Sequence, residues 1–221
     1  MLRPLAADVS RTHPQRSTQA PVGGLWERRD LEDFGLVIGE DRALELHFDS
    51  LHLQGIAEAW WADLFDLKWR ETGDDGPDRE LIASARIVRV NLDDPEWFDS
   101  LDAESGDLEL VGSAFLDRDA VTELYEDSLF ANSLLVLDHV EVPPAHRGHR
   151  ASHSLVRGLT AIFRHDIVAL TPDTLALDDT GHIAPHPVKA AGLTRHWERM
   201  GFVNIPGTAV WLLTGAATTQ G

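Results

Sequence analysis

From Leu134 to Val142 the chain runs Leu-Leu-Val-Leu-Asp-His-Val-Glu-Val, and Pro143 and Pro144 follow at once. Proline donates no ladder hydrogen bond and restricts the residue before it, so a strand has to stop there. From about His149 to Phe163, the residues Leu155, Val156, Leu159, Ile162 and Phe163 fall on one helical face, with Arg150, Ser154 and Arg157 on another. Strand, short loop and helix therefore succeed one another in mid-chain. That order excludes all-helical and all-β classes and points to a mixed α/β (α+β) domain.

Around this unit, Leu44–Phe48 reads as a short strand and Gln54–Arg70 as a helix with Ile56, Trp60, Trp61, Leu64, Phe65 and Leu67 on a wide apolar face. Leu81–Leu92 and Asp107–Leu116 read as strands, separated by an acidic, turn-like stretch from Asp93 to Gly106. Asp117–Leu129 reads as a helix capped by Asp117 or Asp119. Ile167–Thr171 is a strand ended by Pro172, Val188–Met200 a helix closed by Gly201, and Thr208–Leu213 a last strand. Residues 1–24 are rich in polar residues without apolar periodicity and are expected to form a tail, as are residues 215–221. Between them, residues 25–214 are expected to form a single domain.

Charge divides this chain. Residues 1–135 hold 12 basic and 30 acidic side chains, whereas residues 136–221 hold 7 and 7, so the net −18 arises wholly in the first part. Nucleic-acid binding needs clustered Lys and Arg, and a surface of this sign repels phosphates, so no nucleic acid is expected as partner. Eight of the eleven histidines lie in the neutral part. The absence of cysteine removes thiolate nucleophiles and thiolate metal sites. No run approaches the roughly 18 apolar residues that cross a bilayer, so no membrane partner and a cytoplasmic location are expected.

The loop after the central strand carries the chemistry. Val142, Pro144, Arg147 and Gly148 stand at the spacing of V-x-P-x-x-R-G-x-G-x-G/A, and this segment resembles the acyl-CoA signature of the GCN5-related N-acetyltransferases. A second stretch, Trp197, Glu198, Arg199, Gly201 and Phe202, is similar to the Y-E-K-x-G-F end of a helix and turn in the same family. Together the motifs cover residues 134–213. The resemblance implies a mixed, mostly antiparallel sheet flanked by helices, with an acceptor side over about 25–133 and a CoA-binding part over about 134–214. It implies acetyl-CoA as co-substrate, a small amine or peptide amine as acceptor, and no metal.

The physical sense of the signature is that turn amides and a helix N-terminus converge on a pyrophosphate. The residues expected to hold the acyl-CoA are Val140 and Val142 through their backbones, Arg147, Gly148, His149, Arg150, Ala151 and Ser152, with Trp197 as core or as a wall. Two departures stand out: Arg150 and Ser152 occupy positions where the family has glycine and then glycine or alanine. A third is Trp197, in place of a tyrosine thought to protonate the leaving thiolate, a task the indole N–H cannot perform. The chain's one tyrosine, Tyr125, has nothing in the sequence to place it near the thiol.

Amide formation also needs a deprotonated amine. Candidate bases on the central strand are Asp138, His139 and Glu141, with Asp138 and Glu141 preferred; alternation puts Asp138 with Val136, Val140 and Val142 on one strand face and His139 with Glu141 on the other. The histidine pairs His149/His153 and His182/His186 lack the pattern of a metal site, and Ser152 and Ser154 lack a nucleophile elbow. Trp60, Trp61 and Trp69 suit either core or an acceptor wall. The expected activity is acetyl transfer from acetyl-CoA to a primary amine, with the acidic first part steering a cationic acceptor. A non-catalytic acyl-CoA-binding or regulatory module is the alternative, and a homodimer is left open.

Overall fold

A computed structural model describes residues 3–4, 34–37, 41–52, 56–68, 77–116, 121–122, 131–172, 175–177, 183–185 and 187–214. Its centre is a nine-stranded sheet built from β1 (Arg3–Pro4), β2 (Phe34–Val37), β3 (Arg42–His52), β4 (Ala57–Lys68), β5 (Asp78–Asn91), β6 (Ser133–Glu141), β7 (Ile167–Leu170), β10 (Phe202–Asn204) and β11 (Trp211–Leu213). The spatial order is β1-β2-β3-β4-β5-β6-β7-β11-β10. Every pairing is antiparallel except that of β6 with β7. A parallel neighbour requires a crossover, and the helix α3 named below supplies it. Two short strands, β8 (Leu175–Leu177) and β9 (Ile183–Pro185), pair separately. The fold is thus the mixed, mostly antiparallel sheet with flanking helices that was expected.

Among the described residues, helices α1 (Trp97–Glu104), α2 (Gly106–Leu116), α3 (Ala151–Ile162) and α4 (Pro187–Arg199) cover the sheet. One apolar layer joins Leu44, Leu46, Trp60, Leu64, Ile87 and Leu137 of the sheet to Leu155, Val156 and Leu159 of α3 and Trp197 of α4. The opposite layer joins Val88, Val90, Leu134 and Val136 to Leu101 of α1 and to Leu108, Val111 and Phe115 of α2. Arg42 ties β3 to α3, donating to Asp66 at 2.9 Å and to the Ser154 hydroxyl at 2.5 Å.

Three expectations are corrected. The segment 54–70 read as a helix is strand β4 over its described part: Trp60, Ala62 and Leu64 alternate into the first apolar layer, and Trp61 lies on the other face, 38% exposed. The segment 107–116 read as a strand is α2, whose Leu108, Val111, Gly112 and Phe115 keep helical spacing and whose entry is capped by Ser105, Oγ accepting from the Leu108 amide at 3.2 Å. The supposed turn 93–106 holds α1, entered through Asp94, whose carboxylate accepts from the Glu96 amide at 2.9 Å across Pro95. Gly112 lets α1 and α2 close together, since a Cβ there would stand 3.0 Å from the Phe98 ring. Arg3–Pro4 pairs with β2 within the stretch expected to be a tail. Trp69, Tyr125, His182, His186 and most of the helix expected over 117–129 lie outside the described residues.

Candidate functional site

Along β6 the pairing with β5 runs Val88 with Val136, Ile87 with Leu137, then Arg86 with His139, and so on to Ser84 with Glu141. Asp138 is passed over, which is a β-bulge: one extra residue on one strand. The bulge reverses the alternation. Leu135 and Leu137 face the α3 layer, and beyond the bulge so do Val140 and Val142, while Val136 faces α1 and α2. The expected grouping of Asp138 with Val136, Val140 and Val142 on one face is therefore wrong, because strict period-2 alternation does not survive an inserted residue.

Asp138 turns to Arg86 of β5, which donates to its carboxylate at 2.6 Å and also bonds Glu104 of α1. Burial works against the guanidinium's charge, but the bonds to Asp138 and Glu104 outweigh it and hold Arg86 charged. Glu141, at the end of β6, is exposed.

On its other side β6 pairs with β7 only through Leu134, Leu135 and Val136. From Leu137 onward that edge has no strand partner among the described residues, and β7 ends at Leu170 before Thr171 and Pro172. Among the described residues, a gap thus opens in the sheet beside the C-terminal half of β6. The loop from Val142 to Arg150 and the N-terminus of α3 stand at its end.

Within this loop Pro144–His146 makes a single 3₁₀ turn. The His146, Arg147 and His149 amides are used internally, on Pro143 O at 2.9 Å, Pro144 O at 3.4 Å and His146 O at 3.3 Å. Arg147 is exposed, and its Nε donates to Val142 O at 3.1 Å. Gly148 has φ of +84°.

Arg150 has φ of 59° and ψ of 24°, the left-handed region, and serves as the N-cap of α3. It is the one non-glycine residue with positive φ among the described residues. Its carbonyl accepts from the Ser154 amide at 3.1 Å, so the Ala151, Ser152 and His153 amides precede the first N–H that the helix satisfies. The first turn of α3 carries no acidic side chain. Three aligned donors, the positive end of the helix and two arginines favour an anion at this end of α3.

The remaining expected residues divide. Ala151 buries its methyl in the apolar layer, so only its amide is available. The Ser152 hydroxyl is spent on Nε2 of His196 at 3.0 Å, a partner 44 residues away that no spacing rule could have indicated. His149 is exposed in the loop. Trp197 is 5% exposed, edge-on to Phe202, and its Nε1 is buried without a hydrogen-bond partner.

The sheet face on the α1 side carries carboxylates from both parts of the chain. Cross-strand partners share a face, and the registers set Glu45 of β3, Asp63 of β4, Ser84 of β5 and Glu141 of β6 in one row. The neighbouring row holds His47, Trp61, Arg86 and His139. Burial, reinforced by Glu45 and offset by His47 and Arg79, raises the Asp63 carboxyl above the ordinary range. The row ends at Glu141, at the margin of the gap.

No protein-family model and no curated protein sequence matches the chain. Among solved structures, a polyamine N-acetyltransferase of Drosophila melanogaster, described as catalysing formation of N-acetylagmatine, is similar over 66% of this chain and 59% of its own, at 14% identity and a TM-score of 0.32. An agmatine N-acetyltransferase gives the same values. Arylalkylamine N-acetyltransferase 2 of Aedes aegypti is similar over 64% of this chain and 56% of its own, at 11% identity and a TM-score of 0.31. The chain thus spans less than three-fifths of the length of each solved structure it matches.

The Arg150 conformation carries its own prediction. A left-handed L-residue costs about 1–2 kcal/mol, part of which glycine returns through its greater unfolded-state freedom. Arg150→Gly is expected to raise stability by about 0.5–1 kcal/mol. Because the guanidinium is lost, affinity for a phosphate anion falls at the same time. Thermal melts and anion titrations on one preparation check both signs.

Proposed function

We propose that the protein is an acyl-CoA-dependent N-acyltransferase of the GCN5-related fold, moving an acetyl group from acetyl-CoA to a primary amine by direct attack in a ternary complex. One observation above all supports this reading: Arg150, at the position where the signature calls for glycine, has the left-handed backbone that explains a glycine there. The motif and the backbone agree independently.

In this reading the pyrophosphate lies on the Ala151–His153 amides, with Arg147 and Arg150 supplying charge. The pantetheine arm follows the unpaired edge of β6, bonding the backbone near Val142, and the acyl carbonyl meets the backbone of Val140. The amine approaches from the α1 face, along the row of Glu45, Asp63 and Glu141, which suits a cationic acceptor. Glu141 takes the proton as the amine attacks, directly or through water. Asp138, committed to Arg86, acts on the charge of that side. The thioester carbon goes through a tetrahedral oxyanion, and the departing thiolate takes its proton from solvent, since the indole N–H of Trp197 does not act as an acid.

A second reading, a non-catalytic acyl-CoA-binding or regulatory module, is favoured by two facts. Trp197 is core where the family's tyrosine stands, and Asp138 is held by an ion pair. Release of free thiol from acetyl-CoA, followed with a panel of polyamines, arylalkylamines and peptide amines, separates the two. The enzyme reading expects amine-dependent release that Glu141→Gln reduces by about 10²-fold, the usual scale of a lost general base. Binding without release under any amine supports the module.

A further inference from the structure

Ser152 and His153 follow Ala151 in the first turn of α3, the serine buried and the histidine half-buried. Ser152 is 7% exposed, and its hydroxyl meets Nε2 of His196 on α4 at 3.0 Å. The His196 ring lies edge-on to His153 at 5.0 Å between centroids and to Trp197 at 5.2 Å. Nδ1 of His153 is buried with no hydrogen-bond partner. Two imidazoles and a serine thus form one cluster between α3 and α4, at the end of α3 that carries the Ala151–His153 amides.

Among the described residues, the charges acting on the cluster are all of one sign. Burial first, then His196, Arg150 and Arg199, depress His153 below its ordinary value. Burial first, then Arg199, depresses His196. Among the described residues no carboxylate acts on either ring. Burial and these cations thus favour the neutral form of both rings.

A phosphate anion on the Ala151–His153 amides supplies a counter-charge. It also alters what Ser152 can do. With Nε2 of His196 bare, the hydroxyl donates to it and has no proton left for a ligand. Once His196 is protonated, both ring nitrogens carry hydrogen, so Nε2 must donate to Oγ and the hydroxyl proton is released toward another acceptor.

We propose that the Ser152–His196–His153 cluster couples proton uptake to phosphate binding at the N-terminus of α3: the bound anion draws a solvent proton onto the histidine pair, and protonated His196 turns the Ser152 hydroxyl into a donor to that anion. The proposal rests on the cradle reading above and adds its regulation: acyl-CoA is held more tightly as pH falls through the histidine range. By linkage, each unit by which the anion raises a ring's pKa tightens binding about tenfold between high and low pH.

The probe is dephospho-coenzyme A, which keeps the pyrophosphate but lacks the terminal phosphomonoester that itself titrates near pH 6. Calorimetric titrations at pH 7 in buffers of different ionisation enthalpy read the number of protons exchanged. The expected result is net uptake by the wild-type protein, reduced by His153→Gln and lost in His196→Gln. Ser152→Ala is expected to weaken binding at pH 6 and to leave it unchanged at pH 8. Saturable binding with no proton exchange in the wild-type protein, or uptake that persists when both histidines are glutamine, overturns the coupling and leaves the cradle standing. Failure of the wild-type protein to bind dephospho-coenzyme A or acetyl-CoA at any pH overturns the cradle and the coupling with it.

Discussion

Arg89→Ala is expected to destabilise the protein by about 3–5 kcal/mol, the cost of leaving a buried charge without its partner. Arg89 of β5 grips Asp166 through Nε at 2.6 Å and Nη2 at 3.3 Å, with Glu58 at 3.6 Å and the Ser133 hydroxyl at 3.1 Å. The Asp166 carboxylate is only 6% exposed, so water cannot replace the lost guanidinium. Burial opposes the charge on Arg89, and the bonds to Asp166 and Glu58 overcome it. Asp166 immediately precedes β7, and Ser133 opens β6, so the cluster fixes the end at which the parallel pair is joined. For a chain of this length the melting temperature should fall by about 6–20 °C. The paired replacement Arg89→Met with Asp166→Leu should recover part of the loss, because no unpaired Asp166 charge remains. Acetyl-CoA affinity of the folded fraction should not change, since the cluster stands at the opposite end of β6 from the loop. Denaturant melts of the two variants beside the wild type read the result.

Trp197→Ala is expected to cost about 3–5 kcal/mol, the usual range for removing a large aromatic from a core. The indole lies in the apolar layer beneath α3 and α4, against Phe202 and the His196 ring. Trp197→Phe should cost less than about 1.5 kcal/mol, because it keeps most of the packing and removes an N–H that has no partner. The pair of variants separates the two roles the sequence allows. A core residue shows in the melt. A wall against the CoA arm would leave the melt of Trp197→Ala near wild type and lower acetyl-CoA affinity instead.

The loop and helix at the centre of the account were legible because proline and glycine act locally. Pro143 and Pro144 end β6 whatever packs around them, and the spacing of Arg147 and Gly148 places the turn before α3. Strand β4 was not legible, because Trp60 and Leu64, Trp61 and Phe65 satisfy a helical period as well as an alternating one. Both its faces carry aromatics: Trp60 meets Phe48 in the core, while Phe65 on the other face lies under the Arg79 guanidinium at 4.1 Å. Helices α1 and α2 did leave signals, in Asp94-Pro95-Glu96 and in Ser105 three residues before Leu108.

The bulge at Asp138 had no local signal. It exists only in the pairing with β5, and it alone decides which face each candidate base and each valine presents. The Ser152–His196 bond was hidden for the same reason, since it depends on how α3 and α4 pack and not on either sequence alone. Register, not charge partition, assembles the carboxylate row: Glu45 and Asp63 come from the acidic first part, and Glu141 from the neutral part.

The central claim is that the loop from Val142 to Ser152 holds the pyrophosphate of an acyl-CoA. Calorimetric titration of acetyl-CoA into the wild-type protein and into Arg147→Glu tests it most directly. The account predicts saturable binding of one acetyl-CoA per wild-type chain and an affinity at least about tenfold lower in the variant, or about 1.4 kcal/mol. Absence of binding by the wild type, or equal affinity in a folded Arg147→Glu protein, would contradict it.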